Sequence, residues 1–194
     1  MHAALEAFAA HGIDGASLAE ITEAAGASNA SAIQYHFGGK DGLIEAILDN
    51  YERITDTRRL ELAAALSERG HPSLRDEIST LVLPWAEMLG RPDSVAFLKL
   101  LGQLVGHPRF SIVERHRKAL AAASGGLLAG LRRAEARDPQ RWASRWILVT
   151  GLLFHGFADY AAMTPSRKRQ PNQPSLDAFV QELIDAITAV IARS

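Results

Sequence analysis

Apolar positions recur every three to four residues along most of the chain, with short Gly, Pro and Asn interruptions, and this is the period of helices packed by one face. Leu5, Phe8 and Ala9 mark a first helix over about residues 1–11, which His11-Gly12 ends. Ser17-Leu18-Ala19-Glu20 has the form of a capping box, Ser17 covering free N–H groups while Glu20 reaches back. A second helix then runs through Ile21 to Ala25 and stops at Gly26. A third starts at Ser28 or Asn29 and ends near Phe37, before Gly38-Gly39. The fourth is long, from Asp41 through Ile44, Ile47, Leu48, Tyr51 and Ile54 to about Leu66, with Gly70-His71-Pro72 as its stop. Later helices are predicted over 74–89, 94–106, 112–136 (with a break at Gly125-Gly126), 139–163 and 176–193, the last capped by Ser175. About nine helices, no strand and no internal repeat predict an all-α protein.

Composition narrows the picture. The 194 residues are 47% hydrophobic and 22% charged, enough for a small head on a larger packed body. The absence of cysteine excludes a disulfide scaffold, thiolate metal sites and a cysteine nucleophile. No basic segment leads into an apolar stretch with a cleavage site, so no signal peptide is expected. The most apolar run, Trp146 to Ala158, is broken by Thr150 and His155 and is too short for a bilayer. It reads as a buried helix, and the chain as cytoplasmic with no membrane partner.

Three short helices with a tight turn between the second and third describe a helix-turn-helix, in which the third helix enters the major groove. Leu18, Ile21, Ala25, Ile33 and Phe37 would lock the unit together. The residues Ser17-Leu18-Ala19-Glu20-Ile21, Ala25-Gly26-Ala27-Ser28 and Ile33-Gln34-Tyr35-His36-Phe37-Gly38-Gly39-Lys40-Asp41-Gly42-Leu43-Ile44 resemble the signature of the tetracycline-repressor-like (TetR) family. The resemblance covers roughly the first 50 residues. It implies a DNA-binding domain over 1–45 and a helical effector-binding and dimerisation domain over 46–194. It further implies a homodimer that reads a palindromic operator and is released by a small-molecule effector. Gln34 stands where the family often has tyrosine, and the segment from Gly26 to Phe37 is one residue longer than its commonest form. The family usually carries a basic segment ahead of helix 1, which here begins at Met1.

Asn29, Ser31 and Gln34 are the polar residues of helix 3 placed to reach base edges, and Asn and Gln pair well with adenine. Asn29 serves equally well as a plain N-cap. Tyr35 and His36 resemble family positions that touch phosphate and brace helix 4; His36 also fits a buried core histidine. Ser17 and Ser28 offer hydroxyls at helix starts, and Lys40 is the head's single base. Charge runs against this reading. Residues 1–50 hold seven acids (Glu6, Asp14, Glu20, Glu23, Asp41, Glu45, Asp49) against Lys40, a net −6, while the remaining 144 carry 20 bases and 15 acids, a net +5. DNA-binding heads are usually basic. The expected outcome is weak non-specific affinity with specificity retained.

In the body, Leu176, Phe179, Val180, Leu183, Ile184, Ile187, Val190 and Ile191 follow a continuous 3–4 spacing. The preceding helix is apolar on more than one side, which suits packing inward and across a two-fold axis. The family resemblance adds a four-helix dimer interface from the last two helices, for which Phe157, Phe179, Val180, Leu183, Ile184 and Ile187 are the candidates. Trp85, Met88, Phe97, Leu101, Leu104, Phe110, Val113, His116, Trp146, Thr150 and Phe154 are the candidates for a mostly apolar ligand pocket, each also suited to plain core.

Other classes fit less well. His107, Glu114 and His116 invite a metal or acid–base reading, but their spacing matches no standard zinc pattern. No phosphate-binding loop or nucleophile elbow is present, so neither an enzyme nor a cofactor is expected. The acidic head leaves one alternative: a dimeric small-molecule-binding or protein-interaction module that does not bind DNA.

Overall fold

A computed structural model describes residues 1–26, 31–123, 135–163 and 172–192, with backbone alone for 31–32 and 119–123. Among these residues the chain forms α1 (His2–Gly15), α2 (Leu18–Ala24), α3 (Ser31–Phe37), α4 (Lys40–Glu68), α5 (Leu74–Met88), α6 (Ser94–Leu104), α7 (Ile112–Ala123), α8 (Pro139–Met163) and α9 (Leu176–Ala192), and no strand. The all-α reading holds. The expected start of helix 3 at Ser28 or Asn29 and the break at Gly125-Gly126 lie outside the described residues.

Local chemistry fixes the boundaries. Helix α1 is interrupted at Gly12, whose φ of +76° is open to glycine at no steric cost, and one further turn follows. Ser17 caps α2 by accepting from Ala19 N at 3.2 Å, one residue earlier than the capping box requires. The complete box forms instead at α5, where Ser73 Oγ accepts from Asp76 N and Asp76 accepts from Ser73 N at 2.9 Å. Those bonds from Ser73 hold the Asp76 carboxyl below its ordinary range. Ser175 Oγ accepts from Ala178 N at 3.2 Å, as its position before α9 predicts. Pro84 sits inside α5 and offers no N–H to the ladder, yet it is buried with the core.

Helix α5 packs between α4 and α9, and α8 meets α6, α7 and α9. Their shared interior holds Trp85, Phe97, Phe154 and Phe157, each 2% exposed or less. Helix α8 is 25 residues long with a stretch of mean hydropathy 1.3, but half of that stretch is buried against neighbouring helices, as a core helix requires. At the other end α1 packs on α6 and α3 on α4. Helix α4 runs without interruption from the N-terminal head into the body, and the division expected after residue 45 falls within it.

Candidate nucleic-acid interface and effector core

The N-terminal unit closes around Leu5, Phe8, Ile13, Ala16 and Ile21, all buried, with Leu18, Ile33 and Phe37 packed against them. This leaves one face of α3 open. Gln34 and His36 are exposed, and Tyr35 is 84% exposed, the most open large hydrophobic side chain among the described residues. Its ring meets His36 edge-on at 5.1 Å. His36 is therefore a surface residue, and its reading as a core histidine is corrected. Asn29 and Ser28 lie outside the described residues, as does the side chain of Ser31.

The pose of α3 depends on an unusually close approach. A Cβ added to Gly42, in the first turn of α4, would lie 1.6 Å from the carbonyl oxygen of Phe37. Only a glycine lets α4 start this near the end of α3. Lys40, two residues earlier, is already engaged: its Nζ donates to Ile13 O at 2.9 Å and Asp14 O at 3.3 Å, closing the α1 terminus. Ser17 is likewise occupied as a cap. Phosphate contact by Lys40 would have to compete with those carbonyls.

Three residues that the sequence reading did not single out fasten the head to the body. Gln103 of α6 donates through Nε2 to Phe8 O and accepts through Oε1 from Ile13 N, both at 3.2 Å, so it satisfies the two backbone groups freed at the Gly12 break. Arg109 pairs with Asp14 at 3.6 Å and Asp41 at 3.1 Å. Arg115 of α7 reaches Glu45, Asp49 and Glu52 along α4. Burial lifts the Glu52 carboxyl above its usual range, against the pull of Arg115. Four of the seven acids in residues 1–50 are thus paired to two arginines of the body. The opposite charges of the two regions were the signal for this seam.

Residues 1–47 match a family model described as bacterial regulatory proteins, tetR family. Over these residues the head is similar to the N-terminal domain of that family. A TetR-type head thus stands on a body whose fold has a solved counterpart. A Rhodococcus sp. protein assigned to the TetR-family transcriptional regulators is similar in structure with a TM-score of 0.54 at 22% identity, over 98% of this chain and 95% of that one. A TetR-family regulator from Streptomyces coelicolor A3 gives a TM-score of 0.48 at 20% identity, over 98% and 91%. No curated relative matches the chain.

In the body, ten of the eleven pocket candidates are buried, and Val113 is half-buried. The structure brings several together: Trp85, His116 and Phe154 form a ring cluster with centroids 4.9–6.5 Å apart, and Phe97 lies 6.2 Å from Trp85. Trp146 and Thr150 precede Phe154 at successive four-residue steps on the buried face of α8. Phe110 instead sits by His107, 5.2 Å away in the turn before α7, and Glu114 pairs with Arg117 and Lys118. The sequence reading missed Arg59, which is only 3% exposed and pairs with Asp56. Its place was readable, because Tyr51, Thr55 and Arg59 follow one another every four residues on the buried face of α4.

Burial, with Arg59 close by, pushes the His116 ring down to about 3, so it is neutral. Burial also lowers Arg59 against the pull of Asp56.

Of the residues expected at a dimer interface, Phe157, Val180, Leu183, Ile184 and Ile187 are buried within the single chain, and Phe179 is half-buried, stacked on Tyr160 at 4.7 Å. Side chains this deep have almost no surface left to give a partner. Helix α8 leaves Ile147, Leu148 and Leu152 open, at 61, 55 and 37% exposure, and Met163 at its end.

Proposed function

We propose that the chain is a homodimeric transcriptional repressor whose paired heads hold palindromic operator DNA and whose body releases it on binding a small molecule. The observation that carries this reading is the open face of α3, where an exposed tyrosine stands between two exposed polar side chains. Nothing in the packing of the head requires those side chains, and Gln34 has the donor–acceptor pair that adenine presents. Gln34, Tyr35 and His36 are the proposed contacts, joined by Ser31, by Asn29 and Ser28 just before it in the sequence, and by the helix 2 terminus at Ser17. The acidity of the head weighs less against DNA once Asp14, Asp41, Glu45 and Asp49 are paired with the body. Ile147, Leu148 and Leu152 on α8 are the proposed centre of the dimer surface.

Helix α4 suits the role of transmitter. Its first turn carries the recognition helix at Gly42, and Arg59 lies about 25 Å further along in the body core. A shift at the far end would change the separation of two recognition helices that must meet major grooves about 34 Å apart. Fluorescence anisotropy on the DNA flanking the protein's own gene, against scrambled DNA and across a salt series, tests the reading. Sequence-selective binding with a shallow salt slope is expected. Equal affinity for both DNAs would leave the ligand-binding module without a DNA role as the better account.

A further inference from the structure

Five polar atoms buried in the body core have no hydrogen-bond partner among the described residues: Arg59 Nε, Trp85 Nε1, His116 Nε2, Trp146 Nε1 and Thr150 Oγ1. Each belongs to a side chain no more than 5% exposed. Buried polar groups in folded proteins are nearly always paired, because an unpaired one carries its full desolvation cost. Five among the described residues are therefore unusual, and these five come from four helices, α4, α5, α7 and α8, that pack on one another. Trp85 and His116 lie 6.5 Å apart, and each meets Phe154 in an edge-to-face contact. Arg59 is near enough to His116 to depress its protonation. Tyr51 OH, a sixth such atom, faces away toward α1: burial and then Asp93 raise it, its ring stacks on Phe97 at 3.8 Å, and it lines a small recess with Met1, His2 and Asn50.

The five atoms have a chemical bias. Guanidinium Nε and both indole nitrogens can only donate, and the threonine hydroxyl can donate or accept. The ring of His116 is neutral and gives one donor or one acceptor. A ligand that satisfies the set must bring at least three acceptors and hardly any donors. The walls between them are the faces and edges of Trp85, Phe97 and Phe154. Among the described residues Arg59 pairs with Asp56, which is itself one-third exposed, and its Nε has no partner, which leaves the cation's Nε face for an anion.

We propose that this region binds a ring-containing carboxylate, its oxygens accepting from Arg59 and Trp85 and its ring packed on Phe154. The inference rests on the effector-binding reading above and adds the chemical class of the effector. A cation or a donor-rich compound such as an amine would leave the indole N–H groups unpaired and set a second positive charge beside Arg59.

The test uses the full chain, without DNA, labelled with ¹⁵N at its three tryptophans. Matched sets of one- and two-ring compounds are titrated, each set holding the carboxylate, the methylammonium analogue and the bare hydrocarbon on one skeleton. The indole N–H signals are assigned by Trp→Phe variants. Carboxylates are expected to move the Trp85 signal downfield, binding at least about tenfold more tightly than their set partners. Thr150→Val, which keeps the shape and removes one unpaired atom, is expected to raise the melting temperature and weaken carboxylate binding together. Ammonium or hydrocarbon members binding as well as carboxylates would overturn the proposal. So would indole signals that no compound moves, since buried water would then be what satisfies these atoms. Because DNA is absent, selective operator binding with no carboxylate effect refutes the ligand class alone. Carboxylate binding by a protein that selects no DNA refutes the regulator and keeps the site.

Discussion

Tyr35 is the side chain on which the proposed DNA contact turns. At 84% exposure it contributes little to the fold, so Tyr35→Ala should leave stability within about 0.5 kcal/mol of the parent. The same change should weaken operator binding by about tenfold, the loss of one good contact. Thermal melting and anisotropy on one preparation separate the two effects; a fall in melting temperature would mean that Tyr35 is structural. His116 makes a prediction of opposite kind. Its folded value of about 3 lies below the ordinary 6.5, so below pH 6.5 the unfolded chain takes up a proton that the folded ring refuses. The stability it contributes is whole above pH 6.5 and declines as pH falls toward 3, by at most about 1.4 kcal/mol per unit. Urea unfolding between pH 7 and 5 should show that slope, and His116→Gln should flatten it. Lys40 shows what residue-level reading misses. As the head's single base it suggested phosphate, but the carbonyls of Ile13 and Asp14 reach it first, and no property of the lysine announces that.

At the scale of elements the sequence was most informative where one local rule decides. The bounds of α8 are those the apolar period predicts, and Ser175 caps α9 because a hydroxyl one residue before a helix has free N–H groups in reach. Where two rules compete, reading fails. Ser17-x-x-Glu20 and Ser73-x-x-Asp76 have the same outline, yet the full reciprocal pair forms at the second alone. The regular stripe of α9 stated that one face is buried and not against what; Val180, Leu183, Ile184 and Ile187 meet their own chain. The α3–α4 junction is the most exacting element. Gly42→Ala would drive a methyl group into the Phe37 carbonyl, a backbone atom that cannot swing aside. Stability should fall by about 1–3 kcal/mol and operator binding with it, as α3 is pushed out of register. A variant that denatures like the parent would show that the junction relaxes more easily than its geometry implies.

Over the whole molecule, the contrast between an acidic N-terminal region and a basic remainder is resolved by pairing across their seam through Arg109 and Arg115. Long-range pairs of this sort are invisible to periodicity, although the charge imbalance hinted at them. The outer face of α8 carries the remaining prediction. Replacing both Ile147 and Leu148 with lysine should convert a dimer to a monomer by light scattering at micromolar concentration. The melting of the isolated subunit should hardly change, because both side chains are more than half exposed within it. A parent protein that is already monomeric would remove α8 from the interface.

The seam also limits how freely such proteins can be recombined. Gln103 fits one particular break in α1, and Arg109 and Arg115 fit acids at one particular set of positions. A chimera that joins this body to a foreign head would keep the continuous α4 and lose all three fittings unless the new head supplied a break and acids at those places. Such a hybrid would fold in both halves and still transmit poorly between them. Chains that exchange heads successfully are therefore to be sought among those that match at these few seam positions, whatever their identity elsewhere.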